Sequence, residues 1–374
     1  MKIGLIDNEL ITRKGHHFPN LAIMKLSAYH KKQGDDVRLI NFDMINPNNL
    51  FTDHFDIVYV SKVFSDTQTP EFINNLPFVK KGGSGFFYDL AEKLPNEIEH
   101  TKPDYELYDN KIISKYVPAN RTHYYTKFSI GFTTRGCIRK CDFCINKNEK
   151  TVYKHSDLAE FIDDTRPFIM LLDDNITAYK YFKDVFSQLN ETNKPFVFKQ
   201  GMDFRLLNRE KMDMIFHSNY YSGLTKNIGA RVFHFAFDNI KDKELIEKNL
   251  QICYNSRTYA FKMFFYVLCG FDRDYLYDES FYIKDLSDLI ERITILSKYY
   301  AYPYIMLHEN YKNSPYKYIY DDLKKICNNP MFITNKNIYK ALSLSGLHNT
   351  INFLEKQYPE FLQITFNTKM KPII

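Results

Sequence analysis

"FSIGFTTRGCIRKCDFCINK", residues 128–147, begins as an apolar, β-prone run and breaks into three cysteines, Cys137, Cys141 and Cys144. Half of the chain's six cysteines fall in that loop. The same arrangement, an apolar strand ending in a chemically loaded loop, repeats downstream. Apolar runs recur at "FIMLLDD", "PFVFKQG", "RVFHFAFD", "FKMFFYVLCG" and "YPYIMLH". Helical stretches lie between them, among them "AYKYFKDVFSQLN", "NREKMDMIF", "KDKELIEKNLQI" and "DESFYIKDLSDLIERITILSKYY". Near-continuous apolar strands alternating with helices predict a parallel α/β sheet buried on both faces. Six such units predict a partial (β/α)6, TIM-like barrel, where eight would close a full one.

Polar groups gather where these strands end. After the first comes the cysteine loop, and after the second Asp173, Asp174 and Asn175. Gln200, Asp203 and Arg205 follow the third, Asp238 and Asn239 the fourth, Asp272 the fifth, His308 and Glu309 the sixth. In parallel α/β folds ligands sit at the carboxyl ends of the strands. One such residue is commonly a helix cap or ion-pair partner; recurrence over six strands points to a site.

Upstream, "KIGLID", "PNLAIMKLSAYHKKQG", "DVRLINF" and "FDIVYVSKVF" read as strand, helix, strand and strand, with Pro19 near the helix start and Gly34 at its end. This order predicts a small Rossmann-like domain. The glycines of "KKGGSGFF" fit neither a phosphate loop nor a dinucleotide fingerprint and read as a tight turn. Residues 90 to 125, rich in Pro, Asn and Tyr, read as a connecting segment. The expected organisation is a Rossmann-like domain over 1–120, the partial barrel over 121–310 and a helical C-terminal extension over 311–374.

The chain has 374 residues, 44% hydrophobic and 25% charged, the balance of a soluble globular protein. "MKIGLIDNEL" lacks the features of a signal peptide, and no stretch reaches transmembrane length, so a cytoplasmic protein without membrane contact is expected. In that compartment thiols stay reduced, which argues against disulfides. Cys253, Cys269 and Cys327 sit in apolar surroundings and read as core. Residues 301–374 hold nine lysines against five acids, together with twelve Tyr and Phe residues. Such interleaving suits nucleic acid, although Tyr, Lys and Asn are frequent along the whole chain.

C-x3-C-x2-C gives three thiolates that can hold three corners of a cubane iron–sulfur cluster, with no fourth cysteine nearby. A Cys3His zinc site with His155 or His123 is the alternative. The loop resembles the signature of the radical S-adenosylmethionine (radical SAM) enzymes, including the aromatic Phe143 before the third cysteine. The resemblance covers about residues 125 to 310. "LLDD" with Asn175 stands where that family meets the methionine amino group, though the common Gly-Gly-Glu is absent. "QGMDFRLL" and "VLCGFDRD" resemble its third- and fifth-strand motifs, while "FAFDN" replaces the usual Gly-x-Glu-Ser.

The resemblance implies a [4Fe-4S] cluster on Cys137, Cys141 and Cys144, its open iron chelated by S-adenosylmethionine. Reductive cleavage would yield a 5′-deoxyadenosyl radical that abstracts hydrogen from a substrate. A low-potential electron donor such as flavodoxin or ferredoxin is implied as partner. Cofactor contacts are expected from Asp173, Asp174 and Asn175 at the methionine end, from Gln200, and from Arg205 and Asp238 near the carboxylate or ribose. The N-terminal domain resembles that of cobalamin-dependent members, and "DNELITRKGHHFPN" offers His16 and His17. The usual Asp-x-His-x-x-Gly pattern is absent, however, and a domain that caps the barrel mouth and helps select substrate is expected instead. A cobalamin-dependent methylase or related transferase is the nearest alternative; a non-enzymatic metal- or nucleic-acid-binding α/β protein is the other. Peptide, nucleic acid and small molecule all remain open as substrate.

Overall fold

A computed structural model describes residues 1–13, 18–49, 53–220, 232–255 and 262–366. His16 and His17 lie outside the described residues. The architecture is mixed α/β with parallel sheets, and the chain divides into two compact units, Met1–Asp174 and Asn175–Ile374.

The first unit opens with four strands, β1 (Lys2–Asp7), β2 (Asp36–Leu39), β3 (Ile57–Ser61) and β4 (Val79–Gly82), all parallel in the order β2-β1-β3-β4. Central β1 is almost wholly buried because it is covered on both faces. One cover is the helix Leu21–Lys32, started by the Asn20 side chain accepting from the Ile23 N–H and followed by Gly34 at a left-handed φ of 82°. Elsewhere Ile6, Ile40, Phe42, Phe55, Val58 and Ile73 form a continuous apolar cluster. Strand β2 ends before Phe42, which enters a short 3-10 turn and is buried there.

Residues 90–125 do more than connect. Tyr105, Tyr108, Tyr124 and Tyr125 are all buried. Tyr105 donates to the Phe161 carbonyl at 2.6 Å and accepts from the Ile130 N–H at 2.8 Å. The Arg166 guanidinium caps the Tyr105 and Tyr125 carbonyls. These bonds fix β5 (Phe128–Gly131), which pairs in parallel with β8 (Phe168–Leu171). Between them, β6 (Thr134–Arg135) and β7 (Tyr153–Lys154) form a two-residue antiparallel pair that brackets the cysteines.

In the second unit β9 (Phe196–Phe198) is followed by β10 (Val232–Ala236), β11 (Lys262–Cys269) and β12 (Ala301–Leu307), the last three parallel in that order. The helix Glu279–Lys298 packs on β11 and β12, and the helix Lys317–Cys327 packs on β12. Ile338–Leu344 and His348–Gln357 continue a helical C-terminal segment. Among the described residues no helix is long and apolar enough to cross a membrane.

Asp7 ends β1 in a buried position. Its carboxylate accepts from the Leu10 N–H at 3.2 Å and from the Tyr108 hydroxyl at 2.7 Å. Burial pushes its pKa up to about 7, with Glu9 adding to the rise and the Tyr108 bond opposing it. A carboxyl raised on folding holds its proton more tightly in the folded chain, so its contribution to stability is lost as pH rises through that value. Between pH 5 and pH 8, denaturant titrations should show the Asp7→Asn variant gaining about 2 kcal/mol relative to the parent. Parallel stability profiles for the two proteins would remove this assignment.

Candidate functional site

The cysteine loop leaves β6 at Gly136, whose φ is 90°. A Cβ there would lie 2.2 Å from the Thr151 carbonyl oxygen, so only glycine fits before Cys137. Cys137, Cys141 and Cys144 are half-buried and carry no disulfide. The Cys144 N–H bonds the Cys141 carbonyl at 2.9 Å, closing a tight turn. Backbone N–H groups point at two sulfurs, Arg139 to Cys137 Sγ at 3.3 Å and Asn146 to Cys144 Sγ at 3.4 Å.

Two consecutive carboxylates hold this loop. Asp173 is fully buried and accepts four bonds: the N–H and hydroxyl of Thr133 at 3.1 and 2.5 Å, and those of Thr134 at 2.6 and 2.7 Å. Three of these bonds fall on Oδ1 and one on Oδ2, and with no exposed surface the carboxylate is enclosed by the chain's own donors. Burial raises its pKa, and the threonine bonds only partly offset that. Asp174 grips both ends of the cysteine run. It accepts from the Gly136 N–H at 2.8 Å and from Asn146 Nδ2 at 2.8 Å, with Arg135 Nε at 3.6 Å. About two acceptor sites on Asp174 remain.

The other cysteines are committed to the core. Cys253, Cys269 and Cys327 are buried, and burial pushes Cys269 well up and Cys327 up to about 12. His155, a candidate zinc ligand, is engaged by Glu99 at 3.2 Å and Ser156 at 2.9 Å. His123 packs against Tyr124 and Phe128. Among the described residues no three His, Cys, Asp or Glu side chains are gathered around one metal ion. A cubane cluster has a different requirement, one thiolate per iron. Three partly exposed cysteines, outside any disulfide and with backbone N–H groups aimed at two of their sulfurs, suit it.

In the second unit, buried Asn175 accepts from the Thr177 hydroxyl at 2.9 Å. Gln200 is exposed and precedes Gly201. Arg205 forks onto Asp203, Nε to Oδ1 at 2.7 Å and Nη2 to Oδ2 at 3.1 Å, and reaches Asp242 at 2.7 Å. Burial works against the Arg205 charge, but the two carboxylates outweigh it and raise its pKa. Asp238 accepts from the Leu268 N–H at 3.2 Å; burial lifts its pKa to about 6, with Arg292 opposing. Buried Asp272 ties its own loop through the N–H groups of Asp274, Leu276 and Tyr277. The unit therefore brings Arg205, Asp203 and Asp242 together. Arg292 escapes sequence reading: it is buried and donates to the carbonyls of Phe237, Asp238 and Leu268, locking the ends of β10 and β11. A lone arginine inside "LIERITIL" is its signal.

At the carboxyl ends of β1 and β3, where the strand order reverses, a Rossmann-like sheet takes its ligand. Here the chain's own groups meet. Tyr108 bonds Asp7 and the Asn20 N–H, and Asn20 Nδ2 bonds Ser61 at 2.8 Å. These side chains are mutually satisfied and buried.

No family model matches the sequence, and no curated protein matches it. Among solved structures, the chain is similar to the cobalamin-dependent S-adenosylmethionine radical enzyme OxsB, solved with aqua-cobalamin and S-adenosylmethionine bound. Identity is 14% and the TM-score 0.46, over 86% of this chain and 55% of that one, so the chain spans little more than half of that enzyme's length.

The clasp yields a prediction. Asp173→Ala strands four donors and should lower stability to urea by about 3 kcal/mol or more. Asp174→Ala should cost about 1 kcal/mol while amide exchange rises selectively across residues 135–147. Uniform protection in Asp174→Ala would show that the loop is held by other means.

Proposed function

We propose that the protein is a radical SAM enzyme. The reading rests on the loop Cys137-x3-Cys141-x2-Cys144 with Phe143, its two ends tied to Asp174 and two of its sulfurs met by backbone N–H groups. Bound to these three thiolates, a [4Fe-4S] cluster would supply the electron for reductive cleavage of S-adenosylmethionine.

The chain's own groups have separable tasks. Cys137, Cys141 and Cys144 provide the ligands, and Gly136 lets the loop turn. Asp173, fully buried under four donors, holds the loop's base and is closed to a ligand. Asp174 has capacity, so the methionine ammonium is assigned to Asp174 rather than to Asp173; a charge-assisted bond there is a strong one. In the second unit Arg205 is pre-oriented by Asp203 and Asp242 with N–H groups to spare, a suitable partner for an anionic or hydroxylated ligand group. Gln200 and Asp238 are the other strand-end groups with hydrogen-bonding capacity for a cofactor.

Anaerobic reconstitution tests the assignment. The parent should bind about four iron and four sulfide per chain and, with dithionite, convert S-adenosylmethionine to 5′-deoxyadenosine detectable by mass spectrometry. Cys137→Ala, Cys141→Ala and Cys144→Ala should each lose both properties, and Cys253→Ala neither. Full iron content in Cys141→Ala, or no 5′-deoxyadenosine from the reconstituted parent, defeats the proposal.

A further inference from the structure

The second unit carries an open sheet face and a strand-end histidine, His308, that the cysteine chemistry leaves unused. Side chains alternate across a strand, so β11 and β12 each present two rows. The helix Glu279–Lys298 packs on both strands, and the fully buried row Met263, Phe265, Val267 and Cys269 marks the face it covers. On the opposite face Tyr266 pairs with Tyr304 and Leu268 with Met306. Tyr266 and Leu268 are half-buried, whereas Tyr304 is 37% and Met306 45% exposed.

These four side chains form one floor, because register and ring contacts join them. The Tyr266 and Tyr304 rings meet edge to face at 5.7 Å. His234 of β10 stacks on Tyr266 at 5.7 Å. Gly201, at a φ of 83°, lies so close that a Cβ there would stand 3.1 Å from Tyr266 Cε2. Tyr266 is thus held from two sides before any ligand arrives. Toward the amino end Phe366 stacks on Tyr302 at 5.8 Å, and Tyr302 is buried. Toward the carboxyl end stands His308, two residues after Met306 and so on the same side. Its backbone N–H extends the ladder to the Cys269 carbonyl at 3.0 Å, and its ring meets Phe271 at 5.0 Å. His308 Nδ1 is buried and, among the described residues, meets no hydrogen-bond partner. Burial pushes the His308 pKa down, with Glu309 opposing, so at pH 7 the imidazole is neutral, with one N–H and one lone pair.

Two residue pairs on two strands make a floor of roughly 5 Å by 7 Å. A stable protein interface needs about 800 Å² on each partner, far more than this floor offers. One planar ring system fits it. A plain hydrocarbon ring would leave His308 Nδ1 unmet, which is costly for a buried polar atom. A purine or pyrimidine supplies both a stacking face and an edge of alternating donors and acceptors. We propose that this face binds a nucleobase, stacked on Tyr304 and Met306 with its edge on His308, and that the base belongs to the substrate. The assignment to substrate rests on the radical SAM reading; the binding itself does not.

The full chain, reconstituted but without reductant, is titrated by calorimetry with the four ribonucleoside 5′-monophosphates and with a single-stranded RNA tetranucleotide. At least one of these should bind, and the tighter of the two forms tells whether the base arrives free or in a strand. Tyr304→Ala should weaken that binding about tenfold, the loss of one stacked base, and Tyr304→Phe should restore it. His308→Phe keeps the packing on Phe271 and should cost about fivefold. S-Adenosylmethionine affinity should be the same in parent and variants. No binding by the parent up to millimolar concentration, equal affinity in Tyr304→Ala, or equal binding of N-acetylphenylalanine amide overturns the proposal. So does a parallel loss of S-adenosylmethionine affinity, which would give the face to the cofactor's own adenine. A parent that binds nucleotide yet makes no 5′-deoxyadenosine with dithionite defeats the radical SAM reading alone. One that makes 5′-deoxyadenosine and binds no nucleotide defeats the nucleobase site alone.

Discussion

Everything at the cysteine loop depends on one pair of adjacent carboxylates. Asp173 and Asp174 follow β8, and consecutive side chains at a strand end point in different directions. One carboxylate turns into the core and meets four threonine donors; the other reaches outward to Gly136 and Asn146. The first therefore fixes where the loop begins, and the second fixes the distance between its two ends. Neither role is exchangeable. A buried carboxylate is tolerable only while its oxygens are satisfied, and the threonine N–H groups are equally costly to leave without it. A loop of small span with three cysteines would otherwise sample many arrangements, and the clasp removes much of that freedom before any ligand arrives.

Much of the fold is legible because burial leaves a mark on composition. β1, β5, β8 and β11 lie inside apolar runs, and the helix Leu21–Lys32 falls between Asn20 and Gly34, as capping rules require. The misreadings also have physical causes. Strand β4 holds the edge of its sheet with two exposed lysines, so "VKKG" shows no apolar run and reads as part of the turn beyond it. The β6–β7 pair is two residues long and is set by the grip of Asp173 on Thr134 rather than by strand propensity. Residues 90–125 read as a connector because their tyrosines are irregularly spaced. Their partners lie far away in sequence, Asp7 being 101 residues from Tyr108, and no local pattern records such a contact.

At the site, spacing reveals the cysteines but not the division of labour among the acids. Asp173, Asp174, Asp238 and Asp272 look alike as letters at strand ends. The structure makes one a buried anchor met by four donors, one a clasp with capacity to spare, one a half-buried group with its pKa lifted to about 6, and one a loop closure. What separates them is the number of donors each meets, and those donors come from segments up to 40 residues away. Arg205 shows the same limit. Its presence in "QGMDFRLL" is legible, whereas its orientation depends on Asp242, which sits 37 residues further on. Residue type is readable in one dimension; remaining hydrogen-bonding capacity can only be counted in three.

Residues 83–93, a strap joining the four-stranded sheet to the cysteine loop, add a second support within the first unit. It has positive-φ positions at its start and at its middle, Gly83 at a φ of 100° and Tyr88 at 50°. At the first, a Cβ would stand 2.3 Å from the Lys62 carbonyl oxygen, so glycine relieves a clash. At the second, a tyrosine accepts a sparsely populated backbone conformation, φ 50° and ψ −122°, that costs about 1–3 kcal/mol. It is held there by its hydroxyl on Phe143 and by the Lys147 ammonium 5.5 Å over its ring. A strained residue persists only where its surroundings over-determine it. The surroundings of Tyr88 are the loop between the second and third cysteines, so any shift of that loop is felt by the strap, and through the Asp89–Lys147 and Lys93–Glu149 pairs by its whole outer half. The four-stranded sheet, with its own strand ends closed by Tyr108 and Asn20, thereby acts as the rigid base from which the cysteine loop is supported on one side, while the Asp173–Asp174 clasp supports it on the other.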